Sequence, residues 1–140
     1  MQQAWTSHSV EETRALGERL GASLQGGEVV LLCGDLGVGK TQFAQGVARA
    51  LGVQATVLSP TFTLAVHYEG RLPLVHYDLY RVVHPAELDG IGFLAADDPR
   101  TVSLVEWGDR VPVPAAIRVE ISLQPDGSRR LVVDLPEATG

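Results

Sequence analysis

Gly34, Gly37, Gly39, Lys40 and Thr41 stand at the spacing G-x-x-x-x-G-K-[ST], between the apolar run Val29–Cys33 and an amphipathic stretch. This is the pattern of a phosphate-binding loop, and the chemistry requires these residue types in this order. The backbone amides of Asp35, Leu36, Gly37, Val38 and Gly39 must fold around a β-phosphate, which the glycines permit by their freedom in φ and by letting the backbone come close. Lys40 then sets a point charge between the β- and γ-phosphates, and Thr41 offers a hydroxyl to Mg²⁺. A helix that begins there turns unpaired N–H groups and its positive dipole end toward the anion. Lys40 is the only lysine in the chain, so the single ammonium falls where a phosphate is expected.

Two acids could act at the γ-phosphate. Glu106 closes the apolar run Thr101–Val105, and Asp78 closes a second one, Leu72–Leu79. An acid at the C-terminal end of a buried strand is where a phosphate-binding-loop ATPase holds its carboxylate on the Mg²⁺ side. Glu106 could bind the metal or orient the attacking water, and Asp78 could take whichever role Glu106 leaves. The plainer alternatives are solvation at a strand end for Glu106 and pairing with Arg81 for Asp78. Thr61, beside Pro60, is either a switch hydroxyl that meets the γ-phosphate or Mg²⁺, or a simple turn residue. His67, His76 and His84 lack metal-ligand spacing. Trp107 suits packing or an interface better than stacking on a base, and Arg129 and Arg130 suit the decoration of a hairpin better than contact with a nucleotide.

The elements that must position these residues follow from periodicity and punctuation. Ser9 and Glu12 form a capping box, and Leu16, Leu20 and Leu24 recur at helical spacing until Gly26 and Gly27. The strand from Glu28 to Cys33, with its unbroken apolar run Val29–Cys33, is predicted to be central and buried on both faces. Phe43, Val47 and Leu51 share one face of the helix after the loop, which stops at Gly52. Pro60 and its Ser and Thr neighbours predict a loop over 57–64. Two β-rich runs, Thr63–Tyr68 and Leu72–Leu79, flank Glu69-Gly70-Arg71 as a hairpin. Pro85 can open a short helix over 85–89, and Asp97–Arg100 reads as a turn. Strict alternation in Ile117–Leu123 and Leu131–Leu135 about Pro125–Ser128 predicts a second hairpin. The pattern as a whole predicts one α/β domain over 1–140, with a sheet that is parallel around the nucleotide and antiparallel in its hairpins.

Composition narrows the partners. A net charge of −6 argues against a broad nucleic-acid footprint, which needs clustered Lys and Arg. Cys33 is the sole cysteine, so an internal disulfide is excluded and its place in an apolar run suits packing. No stretch approaches the ~18 apolar residues of a membrane span. The expectation is a cytoplasmic protein with no membrane association.

Four motifs in order, Gly34-Asp-Leu-Gly-Val-Gly-Lys-Thr41, Ser59-Pro-Thr-Phe-Thr-Leu64, Asp78-Leu-Tyr-Arg81 and Leu104-Val-Glu-Trp107, give the chain its family character. It resembles the bacterial TsaE (YjeE) ATPases over nearly its whole length. The resemblance implies ATP and Mg²⁺ as cofactors and a P-loop fold. It implies a role, with the partner proteins TsaB and TsaD, in making threonylcarbamoyladenosine in tRNA, the tRNA being reached only through that complex. Carried over by residue, it gives Lys40 and the loop amides to the phosphates, Thr41 and Glu106 to Mg²⁺, and Thr61 and Asp78 to the switch and hydrolysis machinery. Gln42 stands where family members often have a second Thr, and Gly108 where they often have Pro. A small-molecule kinase would share the loop but needs a second substrate pocket and a lid, for which little chain is left. A GTPase would show an N-K-x-D motif, which this sequence lacks. A nucleotide-gated binding module with little hydrolysis is the remaining alternative.

Overall fold

The computed structural model describes residues 2–35, 37–54, 57, 65–79, 86, 88, 92–94, 97–107 and 113–136. Leu36, Thr61 and Arg81, together with the Ser59–Leu64 motif, lie outside them. The elements in chain order are β1 (Gln2–Ser7), α1 (Val10–Ser23), β2 (Val29–Cys33), α2 (Lys40–Ala50), β3 (Ala65–Tyr68), β4 (Leu74–Asp78), β5 (Val102–Glu106), β6 (Ile117–Leu123) and β7 (Arg129–Asp134). Their strands form a seven-stranded sheet in the order β1-β7-β6-β2-β5-β4-β3.

β2 is central, as its continuous apolar run requires, and is paired in parallel with β5 on one side and β6 on the other. β4 is parallel to β5, whereas β3–β4, β6–β7 and β1–β7 are antiparallel. The mixed α/β sheet therefore has its parallel part around the strand that feeds the glycine loop. Both predicted hairpins form. Ala86 and Leu88, the described residues of the short helix expected over 85–89, are helical.

Period-2 alternation divides the side chains between two cores. Val30, Leu32, Leu74, Val102, Leu104, Val119, Ile121, Leu131 and Val133 face α1 and α2. Leu31, Cys33, Val75, Tyr77 and Val105 face the opposite way, against Leu79, Leu88, Phe93, Leu94 and Trp107. Cys33 is buried, in keeping with a packing role. Burial pushes the Tyr77 phenol above its ordinary pKa, partly opposed by the hydrogen bond it accepts from the Leu94 amide at 3.2 Å.

The two helices lie in close contact because small residues meet at their crossing. A Cβ on Gly46 would collide with the Arg14 carbonyl oxygen, and one on Gly17 with that of Phe43. A Cβ on Gly21 would fall 2.7 Å from the Val47 oxygen. Ser9 caps α1 as the sequence predicts, accepting from the Glu12 amide at 3.1 Å, while the Glu12 carboxylate accepts from His8 N–H at 2.9 Å. At the far end, the Arg71 guanidinium donates to Gly21 and Leu24 carbonyls behind α1 and to Ala50 at the end of α2. Cationic donors belong at such ends, where the last carbonyls lack helical partners. The result is a closely packed pair of helices with α2 held against α1.

Candidate nucleotide-binding site

The loop leaves β2 at Gly34, whose φ of 147° and whose position against β6 leave no space for a side chain: a Cβ there would lie 2.5 Å from the Ile121 oxygen. Gly37 and Gly39 also have positive φ, 75° and 112°, which glycine adopts without strain. Gly39 is the N-cap of α2 and supplies no side-chain cap, so the amides of Lys40, Thr41 and Gln42 have no acceptor within the helix. The first helical bond runs from Phe43 N–H to the Gly39 carbonyl at 3.0 Å. The Asp35 and Gly37 positions are exposed while Val38 is buried, so the loop is anchored by one apolar side chain and open at its rim. Uncapped amides, a helix dipole and an open glycine cradle are the donor set that suits a phosphate.

Lys40 is only 5% exposed. Its Nζ donates to the Gly34 carbonyl at 2.5 Å and sits 3.5 Å from the centre of the Trp107 ring. Trp107 follows β5 with φ 60°, a left-handed conformation that costs a non-glycine residue about 1–3 kcal/mol. That turn carries the indole from the strand end to the ammonium. Packing is thus one role of Trp107, as the sequence suggests, and contact with Lys40 is a second that no spacing rule announces.

Glu106 is the last residue of β5 and is 3% exposed, and Asp78, the last of β4, is 5% exposed. They are direct partners in the parallel register, and Leu32 on β2 is the next partner in the same row. Glu106 is therefore not a solvated strand end. Two carboxylates side by side repel unless a cation or donor offsets them. The structure brings them to the same end of the sheet as the loop that follows Cys33. Among the described residues no group of three His, Cys, Asp or Glu side chains gathers as a metal cluster. Mg²⁺ does not require one, since it takes one or two carboxylates and completes its shell with water and phosphate oxygens. Thr41, half-buried at the start of α2, and Glu106 are the residues suited to hold it.

Arg129 differs from the sequence expectation. Its Nε donates to the Val38 carbonyl at 3.0 Å and its Nη1 to Gly127 at 2.8 Å, so it fastens the β6–β7 hairpin to the glycine loop rather than decorating the surface. Its neighbour Arg130 is exposed. The hairpin turn itself is held by Asp126, whose carboxyl is kept below its usual pKa by hydrogen bonds from the Ser128 hydroxyl and amide.

Sequence reasoning missed His76. Its Nε2 lies 2.6 Å from Glu106 Oε2, and the ring is fully buried. The two residues are 30 positions apart in the chain, so only the strand register reveals the pair.

A profile described as "Threonylcarbamoyl adenosine biosynthesis protein TsaE" matches residues 7–132. The chain belongs to the TsaE family. A TsaE relative from Treponema pallidum, a tRNA threonylcarbamoyladenosine biosynthesis protein by name, is 38% identical over 130 residues, covering 91% of this chain and 96% of its own. One from a Nostoc species, of the same name, is 39% identical over 132 residues, with 86% and 78% covered. The crystal structure of Bacillus subtilis YdiB superimposes with a TM-score of 0.80 at 32% identity, over 98% of this chain and 87% of that one. The P-loop NTPase fold expected from the sequence is thus the fold of this TsaE chain. Among the described residues, no helix is long and apolar enough to cross a membrane.

Proposed function

We propose that this TsaE chain is a Mg²⁺-dependent ATPase that serves threonylcarbamoyladenosine formation in tRNA, acting with TsaB and TsaD and meeting tRNA only through them. The observation that carries the nucleotide reading is the convergence of Lys40, the uncapped start of α2 and the buried Asp78–Glu106 row at one end of the sheet. The pathway and the partners rest on family membership.

In this reading the amides of residues 35–39 and Lys40 bind the β- and γ-phosphates, while Thr41 and Glu106 hold the metal. Bound Mg²⁺ supplies charge neutralisation at the γ-phosphate. Asp78, next to Glu106, orients the attacking water or shares the metal, and Thr61 acts as the switch hydroxyl. Trp107 covers the ammonium and keeps bulk water from it, which strengthens every charge contact made there. Lys40 already holds Gly34 and lies over the indole, so drawing its ammonium toward a phosphate is expected to be felt at Trp107.

The test is calorimetric titration of Mg²⁺-ATP into the wild-type chain and Lys40→Ala. Loss of a charge-assisted phosphate contact removes about 1.5–3 kcal/mol, or roughly ten- to more than a hundredfold in affinity. Wild-type affinity and wild-type turnover in Lys40→Ala would reject the loop as the nucleotide site.

A further inference from the structure

Two residues down from the Asp78–Glu106 row, and so on the same face of the sheet, the cross-strand row consists of Ile117, Val30, Leu104, His76 and Val66. Four of its five members are aliphatic, and the row faces the helix-side core that also holds Leu74 and Val102. A histidine at that place has no packing advantage over leucine or valine. Its Nε2 nevertheless makes a 2.6 Å hydrogen bond upward to Glu106 Oε2, while its Nδ1 is buried without a hydrogen-bond partner among the described residues. An unmet buried ring nitrogen costs free energy. Among the described residues, the contact that the ring's polar atoms make is the one to Glu106.

We propose that His76 is a positioning residue for Glu106: an imidazole on the adjacent strand that holds one carboxylate oxygen and so fixes how the carboxylate is presented to the metal. The inference rests on the reading of Glu106 as a metal-side carboxylate. Carboxylates that serve metals are oriented by hydrogen bonds from a surrounding shell, and loss of such a bond weakens metal affinity by about 10- to 100-fold. A carboxylate oxygen accepts, so in this bond the ring nitrogen Nε2 is the donor. Glu106 would otherwise turn about its side-chain torsions at a strand end, and the metal would have to supply the ordering. The bond to His76 supplies it in advance, from a strand whose own last residue, Asp78, stands in the same register as Glu106.

The test compares ATP affinity in excess Mg²⁺ with that in excess EDTA, and the ratio isolates the metal's share. It is run on the full chain as wild type, His76→Leu, His76→Gln and His76→Asn, with melting temperatures alongside. Leucine fills the space without a donor, glutamine can still reach Glu106 with an amide N–H, and asparagine is polar but too short. The expected result is a wild-type ratio well above ten, a ratio about tenfold or more lower, falling toward one, in the Leu and Asn variants, and recovery toward wild type in the Gln variant, with EDTA affinities alike. If the Leu variant does not fold, the Gln and Asn pair decides by the same difference. A wild-type ratio near one would overturn the metal role of Glu106 itself, and His76 positioning with it. A large wild-type ratio that the Leu or Asn variant retains would overturn only the positioning role. Equal loss in all three variants, tracking their melting temperatures, would reduce His76 to a structural residue and also overturn it.

Discussion

Lys40 has a backbone carbonyl and an aromatic face already in place, and this defines what a ligand must offer it. A cation over an indole gains about 0.5–2 kcal/mol, more than a solvated surface pair and less than a charge-assisted bond to phosphate. A phosphate therefore competes well for the ammonium, and a negative charge arriving there is expected to alter the surroundings of the indole. In a Trp5→Phe background, which leaves Trp107 as the sole tryptophan, nucleotide addition is expected to alter the fluorescence of Trp107, and Lys40→Ala to abolish the change. Emission that ignores a nucleotide shown by calorimetry to bind would contradict the competition for Lys40. Candidate residues placed by local spacing were legible in the sequence: the glycines, Lys40 and Thr41 stand together in the one stretch from 34 to 41. Asp78 and Glu106 were legible as strand ends, although their adjacency is a property of register. His76 and Arg129 were not, because each meets its partner across a long stretch of chain and neither lies in a pattern of fixed spacing.

At the level of elements, the glycine loop is only as well placed as the helix it opens. α2 is held by α1 through contacts that admit no side chain at Gly17 and Gly46. Gly46→Ala gains helix propensity, worth roughly 1 kcal/mol in an open helix, but the added methyl meets the Arg14 carbonyl. Overpacking of this kind costs about 1–3 kcal/mol, so the net effect is expected to be destabilising. Urea denaturation of the variant checks it, and a stability equal to or above wild type would contradict the tight crossing. The helices and the β6–β7 hairpin were readable because their apolar residues repeat at 3.6 and 2.0 without interruption. β1 was not. Its residues on the helix side are Gln3, Trp5 and Ser7, of which only Trp5 is apolar, so the strand carries no alternating signal. It exists because β7 offers an unpaired edge, which it matches along its whole length from Gln2↔Asp134 to Ser7↔Arg129. The boundaries of β4 and β5 also moved by one or two residues from the apolar runs that predicted them, and β5 takes in Glu106 as its final residue.

For the whole molecule, the proposal holds that turnover is completed by partner surfaces. In P-loop NTPases an arginine that stabilises the transferring phosphoryl group is worth about 10³- to 10⁵-fold in rate. Among the described residues, Arg129 is the arginine bonded to the loop, and it is engaged with the Val38 and Gly127 carbonyls, where it serves the loop's shape. The reading therefore calls for slow turnover by the isolated chain and faster turnover once partners complete the site. By linkage, a γ-phosphate that favours the partner-bound form must itself be held more tightly in the complex. The most direct measurement is steady-state phosphate release from Mg²⁺-ATP by the purified chain, alone and with TsaB and TsaD, alongside complex formation with an ATP analogue or ADP. The account predicts slow release alone, a clear rise with both partners, and assembly favoured by the ATP analogue. Equal release with and without partners, together with assembly indifferent to the nucleotide, would contradict it and leave an autonomous ATPase or kinase.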